Sequence, residues 1–98
     1  MSNYIKELKE DLTVNRWNDK DGNSYGIRVL GRGESLFFQE NEKALLCDID
    51  AAYAIIYVKS IKNWEGEKKM NVQERGRVIA LIEKYYKEVY NPGVELHL

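Results

Sequence analysis

The fold is decided by residues 71–93, which read NVQERGRVIALIEKYYKEVYNPG. Asn71 is a good helix N-cap, and Glu74 lies three residues later, where a capping box places an acidic side chain. Apolar residues then recur at helical spacing, at Val72, Val78, Ile79, Ile82, Tyr85, Tyr86 and Val89. Asn91-Pro92-Gly93 ends the pattern, because proline cannot continue a helix and glycine accepts a positive φ. The stretch predicts one long helix over residues 71–90 that packs on a sheet.

Gly76 lies inside this predicted helix and does not suit it. A glycine in a helix interior costs about 1 kcal/mol relative to alanine. We expect the backbone of the helix to approach the sheet closely at Gly76, since the absence of a side chain permits such a contact.

Short strands separated by turns precede the helix. Alternation of apolar and polar residues, or apolar runs, predict them at residues 14–17, 24–30, 35–39, 43–49 and 54–58. Asp21-Gly22 indicates a hairpin turn, and Gly31-Arg32-Gly33 indicates a second turn rather than part of a nucleotide-binding motif. A short amphipathic helix is predicted at residues 3–12 and a final edge strand at residues 94–98.

These elements predict a single α+β domain over residues 1–98. It has an antiparallel sheet of four to six strands, a short N-terminal helix and one long C-terminal helix packed on the sheet. Residues 1–7 lack the apolar core of a signal peptide, and the longest apolar stretch, residues 51–58, is too short to span a bilayer. We therefore expect a cytoplasmic protein with no membrane association. Its single cysteine, Cys47, excludes an internal disulfide and is expected to be buried on a strand.

Charge is distributed unevenly along a chain whose formal net charge is −1. Residues 34–50 contain five carboxylates and one lysine, whereas residues 59–77 contain six cations and three carboxylates. The balanced total argues against direct nucleic-acid binding. The acidic block favours a basic protein partner, and its partner-binding residues are predicted to be Glu40, Glu42, Asp48 and Asp50.

No motif for a metal or cofactor is complete. Asp19, Asp21 and Asn23 match the start of a calcium loop, but Ser24 stands where that loop requires glycine and Leu30 where it requires glutamate. No cofactor and no metal are expected.

The chain also offers no clear pair of nucleophile and base. Cys47 and His97 are the only thiol and imidazole, and two such residues without a third partner are a weak catalytic signal. Asp48 and Asp50 are spaced to share one face of a strand. They leave open a small hydrolase or nuclease that uses both carboxylates with His97.

For several aromatic residues the sequence allows two locations, in the core or at an interface with a partner. Trp64 lies in a polar loop, where it either plugs one end of the core or anchors a partner, and the plug is favoured. Tyr85, Tyr86 and Tyr90 lie on the predicted helix, and at least two of them are expected to pack on the sheet.

Residues 57–65 read YVKSIKNWE, a strand ending in a Ser-Ile-x-x-Trp loop. The helix beginning NVQERGRVI and the terminal strand at residues 94–98 follow it. Over residues 54–98 this arrangement resembles small bacterial immunity proteins of polymorphic toxin and contact-dependent growth inhibition systems. The resemblance implies a cytoplasmic protein without enzymatic activity that binds and neutralises one cognate toxin domain, often a nuclease. The alternative from the residues themselves is a small accessory or regulatory subunit, of phage or mobile-element origin, that binds an unrelated protein.

Overall fold

The computed structural model describes residues 3–98, with side chains from Tyr4 onward. Met1 and Ser2, part of the N-terminal segment interpreted above, lie outside the described residues. The elements in chain order are α1 (Asn3–Glu10), β1 (Asn15–Asn18), β2 (Ser24–Leu30), β3 (Ser35–Glu40), β4 (Lys43–Asp50), β5 (Ile55–Tyr57), a 3₁₀ turn (Val58–Ser60), α2 (Val72–Val89) and β6 (Glu95–His97). The predicted α+β class, with its short first helix, long second helix and largely antiparallel sheet, is confirmed.

The six strands form one sheet in the order of the chain, from β1 to β6. The first five form an antiparallel meander, because short turns return the chain beside the strand that it has just left. β6 pairs with β5 in parallel, because α2 carries the chain back to the end of the sheet from which β5 started. The predicted final edge strand therefore exists, and its direction is the one departure from an antiparallel sheet among the described strands.

Two of the turns depend on glycine. Gly22 has a φ of 86° and closes the hairpin between β1 and β2, as the Asp21-Gly22 pair predicts. Gly33 has a φ of 92°, and a Cβ built there would lie 2.8 Å from the Cβ of Ala51. The Gly31-Arg32-Gly33 segment is thus a turn packed against the end of β4.

The main core lies between one face of the sheet and α2. Alternate residues of the strands point into it, so that Ile27, Phe38 and Leu45 stand opposite one another across β2, β3 and β4. Val78, Ile82, Tyr85 and Tyr86 of α2 pack onto them. Cys47 is buried in the same cluster, as predicted.

Trp64 closes one end of this core. Its side chain is only 2% exposed and stacks near Phe38, with ring centroids 6.4 Å apart. The indole Nε1 donates a hydrogen bond to Oε2 of Glu74 at 3.2 Å. The interpretation of Trp64 as a core plug agrees with this burial, and Tyr85 and Tyr86 pack on the sheet as expected.

The opposite face of the sheet is only partly covered. α1 packs Ile5 and Leu8 over Phe37 and Ala44, and Val14 and Leu30 complete this smaller cluster. The helix has eight residues and is therefore about 12 Å long. The strand residues of this smaller cluster belong to β2, β3 and β4, and none of them belongs to β5 or β6.

Two expectations about α2 are wrong. Val72 was assigned to the apolar stripe but is 89% exposed, because it is the first residue after the N-cap and precedes the turns that reach the sheet. Gly76 was expected to touch the sheet, yet it is exposed and a Cβ built on it would meet no atom within 4 Å. The helix starts as predicted, because Oδ1 of Asn71 accepts a hydrogen bond from the Glu74 amide at 2.8 Å.

Within the described residues, no helix combines the length and the apolar character that crossing a membrane requires.

Candidate protein-docking surface

The predicted partner-binding carboxylates lie at opposite ends of the β3–β4 hairpin. Glu40 and Glu42 are at its turn, whereas Asp48 and Asp50 are at the far end of β4. Residues 42 and 48 are six positions apart on an extended strand, which corresponds to about 20 Å. The acidic block of the sequence therefore does not form one patch, and its two halves have different surroundings.

Glu40 is committed to an intramolecular ion pair. Its two carboxylate oxygens accept hydrogen bonds from Nη1 and Nη2 of Arg77 at 2.7 and 2.8 Å. The Glu40 side chain is only 11% exposed, and Arg77 also bonds Glu74 at 2.9 Å. Hydrogen bonds from Arg77 and then from Trp64 lower the pKa of Glu74 to about 2, and the carboxylate of Glu40 raises the pKa of Arg77. Glu40 joins the sheet to α2 and offers a partner little free surface.

Glu42 is exposed, but cations surround it. Lys9 of α1 donates a hydrogen bond from Nζ to the Glu42 carbonyl oxygen at 2.6 Å. Lys43 is the next residue and pairs with Glu67 at 3.7 Å. The turn is thus fastened to α1 and carries a mixed charge rather than an acidic one.

Asp48 and Asp50 lie on the sheet face that α1 leaves open. They alternate along β4 with the buried residues Cys47 and Ile49, so both point away from the main core together with Leu46. Asp48 is exposed, and Leu46 is 40% exposed although it stands beside the fully buried Phe37. Oδ1 of Asp50 also accepts a hydrogen bond from the Tyr53 amide at 3.2 Å, which caps the turn into β5.

The next two strands extend this face. Asp50 pairs with Ile55 and Ile49 with Ile56. Beyond these pairs, Oγ of Ser60 accepts a hydrogen bond from the Asp48 amide at 2.8 Å and donates one to the Tyr57 carbonyl at 2.6 Å, so Tyr57 lies beside Asp48. Tyr57 pairs in turn with His97 of β6, and their rings meet edge to face with centroids 6.3 Å apart. We call the surface formed by Leu46, Asp48, Asp50, Tyr57, Glu95 and His97 the open sheet face.

The open sheet face combines acidic charge with exposed apolar area. It carries three carboxylates and a histidine on a hydrogen-bonded sheet, and Tyr57 is 38% exposed within it. Tyr53, in the adjoining turn, is 77% exposed. Exposed tyrosine on a rigid framework is typical of protein-binding surfaces, because its two-torsion side chain buries much area at a small entropic cost.

The candidate catalytic residues are not brought together. Asp48 and Asp50 are on β4 and His97 is on β6, so two strand spacings, about 10 Å, separate them. His97 instead bonds Glu95 at 3.3 Å. Burial raises the pKa of the Cys47 thiol to about 12, which keeps that thiol protonated inside the core.

The residues that suggested a calcium loop build a turn instead. Asp19 accepts hydrogen bonds from the amides of Asp21 and Asn23, both at 2.9 Å, and a further one from the Tyr25 hydroxyl at 3.2 Å. These bonds, those from Asn23 first, lower the pKa of Asp19. Over residues 3–98, no group of three or more histidine, cysteine or acidic side chains is arranged to hold a metal ion.

Sequence reasoning singled out three members of the open sheet face, Asp48 and Asp50 as partner-binding residues and His97 only as a candidate catalytic residue, and missed Leu46, Tyr57 and Glu95. The signal for Leu46 was present, because Leu46, Asp48 and Asp50 share one parity on a strand of period two. Tyr57 required the pairing of β5 with β4, which depends on the position of the turn at residues 51–54. The extent of the face depends on where α1 ends, and α1 is distant in sequence.

Comparisons of the chain with protein-family models, with curated proteins and with solved structures gave no significant match.

Proposed function

We propose that this chain is an immunity protein that binds and neutralises a cognate bacterial toxin domain by direct protein–protein contact. The observation that carries the proposal is the open sheet face, on which Asp48, Asp50 and Glu95 share one surface with the exposed Tyr57 and Leu46. Its partner is expected to be basic, as toxin domains that act on nucleic acids commonly are, because they bind phosphates.

The two kinds of side chain have separate roles in binding. Carboxylates attract a basic surface from a distance and raise the association rate, whereas contact between apolar groups slows dissociation. Leu46 and Asp48 are two positions apart on β4, and Tyr57 lies on the neighbouring strand β5. The apolar groups of this face therefore lie among its carboxylates. A basic partner guided to the carboxylates would therefore bury the tyrosine and leucine side chains at the same site.

We infer that the partner is a toxin domain because residues 54–98 resemble immunity proteins of polymorphic toxin and contact-dependent growth inhibition systems. Those residues form β5, the loop with Trp64, α2 and β6. Two of these elements, β5 and β6, contribute Tyr57, Glu95 and His97 to the open sheet face. The proposed inhibitor acts in the cytoplasm by covering or distorting its target, and needs no catalytic group or cofactor of its own.

Growth rescue tests the proposal. The chain is co-expressed with the toxin domain encoded beside it, and we expect growth to be restored. The D48K/D50N variant should lose this protection. Asparagine at position 50 keeps a side-chain oxygen that can accept the hydrogen bond from the Tyr53 amide, so that the turn is preserved.

The matched control is E7K/E65Q, which changes the net charge by the same amount at two exposed positions outside the open sheet face. It should protect as well as the unmodified chain. Equal protection by D48K/D50N would exclude the open sheet face as the docking surface, and the absence of rescue by the unmodified chain would argue against the immunity function.

A further inference from the structure

A groove of about 450 Å³ lies between the segment after β5 and the first two turns of α2. It is separate from the open sheet face and has the opposite charge. Four cations line it, namely Lys59, Lys62, Lys69 and Arg75, and no carboxylate does. We call it the cationic groove. A ligand that complements it carries negative charge, because no carboxylate lines the groove beside these four cations.

The four cations differ in how firmly their side chains are held. Arg75 donates hydrogen bonds from Nε to the Ile61 carbonyl at 2.7 Å and from Nη2 to the Val58 carbonyl at 2.6 Å. These bonds hold its guanidinium against the 3₁₀ turn without neutralising it. The three lysines are exposed, and no carboxylate in the described part of the chain forms an ion pair with any of the four cations. Within the described residues, no ion pair therefore neutralises the cations of the groove.

The floor of the groove is apolar. Met70 is buried beneath it, and Ile79 is half-buried at its far end. Val72, at the near end, is 89% exposed and takes no part in the core. A free inorganic anion would leave this apolar surface in water, whereas a ligand with an apolar side chain between acidic groups would cover it.

Gly76 supplies an independent observation. It is exposed in the interior of α2, where glycine is less favourable than alanine, and a Cβ there would meet no atom within 4 Å. Packing therefore does not require a glycine at this position. Val72, Arg75, Gly76 and Ile79 have the spacing i, i+3, i+4 and i+7, so they share one helix face, and that face lines the groove. The missing side chain keeps the groove open for the close approach of another backbone.

We infer that the cationic groove binds an acidic segment of a partner protein, with an apolar side chain of that segment seated on Met70 and Ile79. Single-stranded nucleic acid fits the groove poorly, because no aromatic residue lines it for base stacking and the chain's net charge is −1. This inference does not depend on the proposed immunity function, because the two surfaces share no residue and attract partners of opposite charge.

The test uses the full chain labelled with ¹⁵N and a defined probe, the acetylated peptide EEDLFDEE. Amide shifts should concentrate at residues 59–62 and 69–79. The peptide EEDSGDEE, with the same charge and no apolar side chain, should bind at least about fivefold more weakly, as expected when a buried apolar side chain is lost. Equal affinity for the two peptides, stronger binding of an oligouridine of the same length, or no shifts at millimolar peptide would each overturn the inference.

Two variants separate the groove from general electrostatics. K62E/K69E should weaken binding of EEDLFDEE by about tenfold or more, whereas K6E/K20E, with the same change in net charge at exposed lysines elsewhere, should change it less than about threefold.

Gly76→Ala should weaken binding while raising the melting temperature, because alanine favours the helix and meets open space. Equal losses in both double variants, or unchanged binding by Gly76→Ala, would contradict the proposed site. Growth rescue by K62E/K69E would remain normal if the immunity function uses the open sheet face, so the two proposals fail separately.

Discussion

The two ends of the β3–β4 hairpin carry the same kind of residue and use it differently. At the turn, the nearly buried Glu40 carboxylate forms a bidentate pair with Arg77, which in turn bonds Glu74. At the other end, Asp48 lies exposed beside Tyr57 on an open sheet. The difference comes from the face to which each side chain points. Glu40 shares the strand parity of the buried Phe38 and faces α2, whereas Asp48 points to the opposite face, which α1 covers only in part. Carboxylates in one acidic run of sequence therefore divide into those that pair within the fold and those that remain exposed.

The largest effect on stability is expected for Trp64, which bonds Glu74 beside the pair of Glu40 and Arg77. Trp64→Ala should lower the free energy of unfolding by about 3–5 kcal/mol, because it empties a buried site and removes the bond to Glu74. Tyr57→Ala on the open sheet face should lower it by less than about 1 kcal/mol, since that side chain is already partly in water. Urea denaturation followed by circular dichroism measures both. A Trp64→Ala variant that melts normally yet loses its partner would instead identify Trp64 as an interface residue.

The next test compares the two glutamates of the turn. Glu40→Lys should cost about 1–3 kcal/mol, because it removes a bidentate pair and sets a cation against Arg77. Glu42→Lys should change stability by less than about 0.5 kcal/mol, because this side chain is exposed and Lys9 contacts only its backbone carbonyl. Equal stability of the two variants, measured by the same denaturation experiment, would show that the pair with Arg77 contributes nothing. Reversing Glu40 is therefore unsuitable as a probe of docking alone.

The fold could be predicted from the sequence because its signals are local. The N-cap Asn71, the turn at Gly22 and the alternation in β4 each depend on a few neighbouring residues. The pair of Glu40 with Arg77 could not be predicted in this way, because 37 positions separate the partners and only the packing of α2 across the sheet brings them together. The parallel direction of β6 likewise depends on where α2 returns the chain. Gly76 was misjudged because its cost within the helix was assigned to internal packing, whereas it faces a groove.

The third test uses pH. Glu74 has a pKa of about 2 against an ordinary value of 4.5, so its ionised form is favoured in the folded state. A lowered pKa stabilises the fold above pH 4.5 and loses this effect as the pH falls toward 2. At pH 7 the unmodified chain should therefore be more stable than Glu74→Gln by about 1–2 kcal/mol, allowing for partial solvent screening. The gap should close between pH 4.5 and 2. Asp11 and Asp19 also have lowered pKa values, so the informative quantity is the difference between the two chains at each pH. A gap that stays constant would mean that the Glu74 charge does not contribute.

The smallest effect on stability is expected for substitutions on the open sheet face, where the effect on binding should be largest. D48K/D50N should change the free energy of unfolding by less than about 0.5 kcal/mol, because Asp48 is exposed and asparagine preserves the cap on the Tyr53 amide. Exposed charges act over about 8 Å at physiological salt, so they influence the encounter of two proteins more than the final contacts. The variant should therefore associate with its basic partner about tenfold more slowly at low salt, and its association rate should depend less on salt than that of the unmodified chain. Stopped-flow measurement at two ionic strengths tests this, with E7K/E65Q as the matched control and circular dichroism as the check on folding. An unchanged association rate at low salt in a folded variant would place the interface outside the open sheet face.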